Sequence, residues 1–272
     1  MGATVPRWDE LADGVLVRRY AIYDQSIGVV IGPEGVLVVD TRSSHRQADE
    51  LRRDIAGLTR LPVVAVVDTH HHHDHAFGNH PFRPAPIWGH VRCARRLLET
   101  AERARADVAT QFPDWAAELA EVVVDPPDRT FEEHAVIDVT GRRVELRYLG
   151  RGHTDDDVVA LVPDAGALFA GDLLENGAAP WFGDGYPLDW PETASRLLEL
   201  VRGPVAPGHG DVADRAFVED QLAGFVTVAE LGRRVHRGEM GLADAVAAGP
   251  YGPVASREPI ERAIAQLRGE LD

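Results

Sequence analysis

The segment Leu61-Pro62-Val63-Val64-Ala65-Val66-Val67 is a continuous apolar run, and it ends in "DTHHHHDHAFGNH". A strand with one wet face would alternate apolar and polar residues. This one does not, so it belongs in the middle of a sheet that is covered on both faces. Ahead of it, Ser44 and Gln47 stand at capping-box spacing before Leu51, Ile55 and Leu58, which predicts a helix. The runs "SIGVVIG" and "VLVVDT", split by Gly32-Pro33-Glu34-Gly35, predict a hairpin, because Pro fixes φ and Gly permits positive φ. Strand, helix, strand implies a layered α/β arrangement.

The pattern turns helical from Val91 to Ala106, and "PDWAAELAE" predicts a short second helix. The β theme restarts with "HAVIDV", the turn Thr140-Gly141, "RVELRYLG", "DVVALVP" and "ALFAGD". Two β-rich halves, each followed by helices, predict a duplicated sandwich rather than a doubly wound sheet. "LDWPETASRLLELV" reads as a helix with Asp189 as N-cap, Pro191 near N1 and Glu192 in its first turn. "GPVAPGHG" is a last strand. Helical segments follow from about Arg215 to Arg237 and from Pro259 to Leu271. The expected organisation is one domain over 1–272, with C-terminal helices from about 213 as an extension.

The chain has 272 residues and a formal net charge of −16, with no run of five or more Lys or Arg. That balance repels a phosphate backbone, so nucleic acid is excluded as a substrate. No stretch approaches the ~18 apolar residues of a membrane span. Neither a signal segment nor a myristoylation motif is present, Pro6 standing where Ser or Thr would be needed. The single Cys93 cannot form an internal disulfide, reads as a packed helix residue, and fits the reducing cytoplasm. A small-molecule substrate is expected, and homo-oligomerisation is left open.

Residues 66–80 hold six of the chain's 12 histidines. A purification tag would lie at a terminus, and a merely polar loop does not explain the spacing. In extended or turning backbone, residues i and i+2 point the same way, so His70 and His72 can grip one metal. Asp74 and His75, past the bend, can face a second. The four-residue spacing of a helical zinc site is absent. Each metal needs about four donors, and more come from His153 in "RGHTDDD", Asp172 in "LFAGD" and His209 in "APGHG". All three are expected at strand ends beside glycines, where backbone can turn and side chains converge.

With Asp40 in "VVDT", these five segments resemble the metallo-β-lactamase superfamily over roughly Val15 to Val212. The resemblance implies an αββα four-layer sandwich around a binuclear site. It implies that His70, His72 and His153 hold one metal and Asp74, His75 and His209 the other, with Asp172 bridging. His71 and His73 fill variable positions and are expected not to be ligands. Asp40 is expected to orient the metal loop through hydrogen bonds, and Asp157 reads equally as a support or a solvated turn residue.

Two dications would bring a bridging water from a pKa of ~15.7 to near neutrality, giving hydroxide beside a polarised carbonyl. Asp74 would orient that nucleophile or take its proton. The expected activity is metal-dependent hydrolysis of an ester, lactone, thioester or amide, with two Zn2+, or else Fe or Mn or a single metal. The best-known zinc β-lactamases carry Cys where this chain has Asp172, so β-lactam cleavage is the less favoured substrate class. A bridging Asp resembles glyoxalase II and acyl-homoserine lactonases. A glutathione-bearing substrate would want basic residues, for which only Arg233, Arg234 and Arg237 offer themselves. The competing class is the persulfide dioxygenase type, a mononuclear iron oxidoreductase. Trp181, Phe182 and Tyr186 in "ENGAAPWFGDGYPLDW" are the substrate-loop candidates, with Trp115 for the opposite wall. His90, His134 and His236 lack metal spacing and read as structural or exposed.

Overall fold

The computed structural model describes residues 7–271. Strands β1 (Asp9–Ala12), β2 (Val15–Tyr20), β3 (Gln25–Ile31), β4 (Val36–Val39), β5 (Val63–Val67), β6 (Ile87–His90) and β7 (Arg129–Phe131) form one sheet in chain order. Strands β8 (His134–Val139), β9 (Arg142–Tyr148), β10 (Val158–Val162), β11 (Ala167–Asn176) and β12 (Val205–Gly210) form the other, in the order 8-9-10-11-12. The two meet at a single registered pair, His209 of β12 opposite Gln25 of β3.

The inner faces pack against each other. Val15, Leu37, Val39 and Val67 of the first sheet share one core with Val144, Leu146, Ala160 and Phe169 of the second. Helix α1 (His45–Leu58) covers the first sheet's outer face, placing Leu51 and Ile55 on Val36, Val38 and Val66. The outer face of the second carries α5 (Trp190–Leu200) and the C-terminal helices α6 (Arg215–His236), α7 (Leu242–Ala247), α8 (Gly252–Ala255) and α9 (Arg257–Leu267). There Trp190, Leu197, Phe225, Val228 and Ile260 form one core. This is the αββα sandwich. In β5, Val67 and Ala65 face the other sheet while Val66 faces α1, so the unbroken apolar run is buried on both sides.

Local chemistry explains where the elements begin and end. Ser44 accepts from Gln47 N at 3.2 Å, but Gln47 Oε1 finds no partner, so only half of the capping box forms. Gly32 N bonds Gly35 O at 2.8 Å and closes the hairpin. The helix expected to end at Ala106 continues to Gln111 (α3, Val91–Gln111), since nothing breaks it until Pro113 biases Phe112 out of the helical region. The "PDWAAELAE" helix shrinks to one 3-10 turn and α4 (Ala116–Ala120). Asp189 holds the N-cap position of α5 without capping. Its carboxylate instead takes Arg151 Nη2 at 2.6 Å and Gln266 Nε2 at 3.2 Å.

Candidate metal centre

Thr69 to Ala76 leave the end of β5 as a loop and one turn of helix, α2 (His73–Ala76), for which His72 is the N-cap residue. Strand β4 ends beside it at Asp40, whose φ of +66° costs about 1–3 kcal/mol for a residue with a Cβ. That backbone turns the Asp40 carboxylate into the loop, where it accepts from Thr69 N at 2.8 Å, Thr69 Oγ1 at 2.9 Å and His75 Nδ1 at 2.9 Å. Three charge-assisted hydrogen bonds together outweigh that strain.

Asp172 and His209 lie inside strands rather than beyond their ends. Between Gly171 and Glu175 the register of β11 against β12 slips, so Asp172 rides on a bulge and the strand continues past it. Gly171 has φ +53°, and a Cβ at Gly208 would stand 1.8 Å from Asp172 Oδ1, so both glycines are required for this carboxylate to fit. His209, at the seam between the sheets, brings its ring across to the loop after β5. Its neighbour across the seam, Gln25, donates to the Asp74 carbonyl.

All seven predicted donors come together, in two groups. His70 Nε2 and His153 Nε2 lie 3.0 and 2.9 Å from His72 Nδ1. Asp74 Oδ2 lies 3.5 Å from both His75 Nε2 and His209 Nε2, which are 3.3 Å apart. Asp172 faces both groups. Its Oδ2 is 3.4 Å from His153 Nε2, 3.7 Å from His70 Nε2 and 3.1 Å from His209 Nε2, and its Oδ1 is 3.3 Å from His75 Nε2.

Three observations test whether metal fits. Donors about 2.05 Å from a tetrahedral centre stand ~3.3 Å apart, in the middle of the spacings found. Every histidine of the set also has its other nitrogen engaged: His75 by Asp40, His70 by Thr69 Oγ1 at 3.1 Å, His72 by Asp184 Oδ2 at 3.1 Å, His153 by Trp181 O at 3.1 Å and His209 by Tyr23 O at 2.7 Å. Such outer partners fix the tautomer that presents a lone pair to a metal. Asp172 Oδ1 is buried without a hydrogen bond, an omission that would cost about 1–3 kcal/mol if nothing bound there. The residues fit bound divalent metal.

The electrostatics divide the histidines: against burial, Asp172 and Asp74 hold His75 well above the usual histidine range and raise His209 to about 10, so a bound ion would take the place of those two protons. Burial pushes His153 down to about 3 and His70 well below the usual histidine range, so both stay neutral donors. Burial works against the charged forms of Asp74 and Asp172, but the surrounding imidazoles prevail and keep both carboxylates ionised. Glu175, beside them, is pushed up to about 8 by burial and by Asp172.

The family model described as the Metallo-beta-lactamase superfamily matches residues 22–209. The chain belongs to the metallo-β-lactamase superfamily. It is 25% identical over 199 residues to the metallo-β-lactamase type 2 of Bacillus sp. (strain 170), covering 71% of this chain and 70% of that one. Similarity to the enzyme of that name from Bacteroides fragilis is 29% over 98 residues and spans only 39% of its length. A linear primary-alkylsulfatase of Pseudomonas sp. (strain ATCC 19151) is 22% identical over 231 residues, covering 71% of this chain and 43% of that one. In fold, the chain resembles a metallo-β-lactamase from Pontibacter korlensis, with TM-score 0.62 at 22% identity over 80% of this chain and 97% of that one. DIM-1 metallo-β-lactamase gives 0.61 at 20% identity, covering 80% and 95%.

In this member of the superfamily the two passenger histidines have other partners. His71 Nδ1 bonds Asp156 Oδ2 at 2.8 Å, and His73 Nε2 meets Tyr23 Oη at 3.3 Å. His71 does approach His72 and Asp184 closely enough for a third, smaller donor group. Since the Nε2 of His72 is already held by Asp184, that group reads as support for the first. Asp157 is buried and accepts from Thr154 N and Oγ1, both at 2.7 Å, so it is a loop staple rather than a solvated turn residue.

A cavity of about 680 Å³ opens over the donors. Of the three substrate-loop candidates only Trp181 lines it, standing 47% exposed beside His72 and His153. Phe182 is 1% exposed because its ring packs on Trp190 and Phe225, and Tyr186 faces a neighbouring pocket. Trp115 does not form the opposite wall. It stacks on Phe112 behind Tyr23, and the wall is Tyr23, Phe77 and one face of α3. Arg233, Arg234 and Arg237 do not line the cavity, and Arg237 pairs with Glu230 and Glu239. Sequence reasoning passed over Asp184, Glu175 and Tyr23. Asp184 carried a signal, a lone carboxylate between two glycines in the loop chosen for its aromatics. Tyr23 carried none, because its place depends on the φ of +57° in the turn after β2.

Proposed function

We propose that the chain is a metal-dependent hydrolase that uses a binuclear centre, with zinc as the metal, to cleave an ester, lactone, thioester or amide bond of a small molecule. The observation that carries this reading is the convergence of seven donors into two groups, with one carboxylate, Asp172, facing both. Relatives named β-lactamase and alkylsulfatase support a hydrolytic reading. Bound divalent metal supplies water of lowered pKa and Lewis acidity toward a carbonyl oxygen. The chain's own contribution is position. Asp40, Thr69 and Asp184 aim the imidazoles, and Asp74, buried between the rings of His75 and His209, is placed to orient the attacking water or to take its proton. Trp181 and Tyr23 give the substrate apolar walls, which match a small organic molecule better than a polyanion, as does the net charge of −16. The lone buried Cys93 is in keeping with a reducing cytoplasm, and among the described residues no helix is long and apolar enough to cross a membrane.

The test is a hydrolysis panel of lactones, thioesters, aryl esters, β-lactams and phosphodiesters, run on zinc-loaded protein beside Asp74→Ala. Turnover of a carbonyl substrate is expected to fall about 10²–10⁴-fold in the variant. Full activity in Asp74→Ala would sink the assignment. Oxygen consumption with one iron per chain would replace it with the mononuclear oxidoreductase.

A further inference from the structure

One face of α3 forms the cavity wall opposite Trp181, through Thr100, Arg103, Ala104, Asp107, Val108 and Gln111. The spacing of three and four residues is that of one helix face. Arg103 is the only guanidinium among the described residues lining the cavity. The other four arginines of α3 are engaged: Arg92 with Tyr148 Oη at 2.9 Å, Arg95 with Glu99 at 3.7 Å, Arg96 with Asp155 at 3.3 Å and Arg105 with Val122 O at 2.9 Å. Among the described residues Arg103 has no hydrogen bond and no ion pair.

The acids around it are mostly committed elsewhere. Asp184 accepts from His72 and feels the Arg103 charge without an ion-pair contact, Asp24 takes Arg19 Nη2 at 2.6 Å, and Glu175 accepts from Trp181 N at 2.8 Å. Among the described residues, only Asp107, one turn along α3, faces the cavity without an ion pair. Arg103 and Thr100 also stand where the cavity meets a side pocket of about 220 Å³ that adds Arg96, Arg262 and Thr154, with the acids Asp155, which pairs with Arg96, and Glu270, which pairs with Arg268 at 4.0 Å. In a chain of net charge −16 the long-range field repels anions. Any anion taken up here is therefore selected locally.

We propose that Arg103 binds a carboxylate on the part of the substrate that is not cleaved, so that the preferred substrates carry an anion at one end and the hydrolysable bond at the other. Phe77, Val108 and Trp181 line the same cavity and suit an apolar spacer. This substrate class rests on the hydrolase reading, but its test does not read turnover.

Zinc-loaded protein is titrated calorimetrically with straight-chain dicarboxylates from succinate to suberate, and with monocarboxylates of the same lengths. Either kind offers one carboxylate to the metals, and only the dicarboxylates offer a second to Arg103. At one or more lengths the dicarboxylate is expected to bind about 10- to 100-fold tighter, the scale of a charge-assisted hydrogen-bonded pair. Arg103→Ala abolishes that preference, Arg103→Lys keeps part of it, and Asp107→Asn keeps or raises it. Arg103 is exposed, so the variants should fold, with metal content and circular dichroism as the check and Arg103→Gln as the second variant. No preference at any length, or a preference that survives Arg103→Ala, overturns the proposal. Absence of hydrolysis on every substrate would count against the function while leaving this result readable.

Discussion

The two sheets supply the centre in different ways. The first gives four donors from six consecutive residues, His70 to His75, and orients them mainly with side chains: Asp40 on His75, Thr69 on His70, Asp184 on His72. The second gives three donors from three separate segments. His153 is oriented by the Trp181 carbonyl, His209 by the Tyr23 carbonyl of the opposite sheet, and Asp172 by a bulge that needs Gly171 and Gly208. One half is a motif held by side chains, and the other is an assembly held by backbone. Point mutations should therefore act on them by different routes.

The largest effect is expected where the backbone leaves no slack. Gly208→Ala puts a methyl group 1.8 Å from Asp172 Oδ1, inside any contact distance, and displaces the one carboxylate that faces both groups. Metal content should fall below about one per chain, and hydrolysis by about 10²-fold or more, as expected when a ligand is lost. Elemental analysis and kinetics check this. Retention of two metals would show that the bulge tolerates a Cβ.

Asp40→Ala comes next. It removes a direct carboxylate hydrogen bond, where His153 and His209 are held by backbone carbonyls and the carboxylate of Glu175 stands 3.9 Å from His153 Nδ1, and should weaken metal binding about 10–100-fold, read by competition with a chromophoric chelator. Trp181→Ala makes the matching control in the second half. The carbonyl that holds His153 is backbone and survives, so metal affinity should stay unchanged while KM rises several-fold from the lost apolar wall. If Trp181→Ala loses metal as readily as Asp40→Ala, the contrast between the halves fails.

The same contrast explains what was legible in the sequence. Val63–Val67 and the capped α1 announced themselves by local pattern, and the loop from His70 to His75 by i and i+2 spacing. His153, Asp172 and His209 could be joined to it only through a resemblance, because their convergence is tertiary. Asp172 was expected to end a strand yet lies in the middle of β11, since a register slip between β11 and β12 leaves no mark on composition, while His209, expected to follow a strand, is the penultimate residue of β12. Phe182 and Tyr186 were expected to face substrate with Trp181. Aromatic residues in a glycine-rich loop can turn inward or outward, and here Trp190 and Phe225 provide an inner surface for Phe182. The loss of Trp115 from the wall has a similar cause, for Phe112 and Tyr23 stand in front of it.

The smallest effect concerns the loop that carries His153. Burial, aided by the charge of Asp156, pushes Asp157 up to about 8, above an unfolded value of ~3.9. The fold therefore favours its neutral form. That contribution is fully present below the unfolded pKa and is lost as pH rises through about 8. For one proton the slope is at most about 1.4 kcal/mol per pH unit. Urea unfolding of metal-free protein between pH 6 and 9 should show stability falling with pH in the parent and a flatter profile in Asp157→Asn. Thr154 can keep both partners there, with its N–H donating to the amide oxygen and its hydroxyl accepting from the amide nitrogen. Identical slopes would mean that Asp157 is ionised in the folded protein.

The central claim is that the two halves build one binuclear centre. Its most direct test is the metal content of purified, zinc-repleted protein by inductively coupled plasma mass spectrometry, beside His153→Ala and His209→Ala. The expected result is two zinc ions per chain in the parent and a loss in each variant. One ion in the parent, or a content that neither variant changes, would contradict the account.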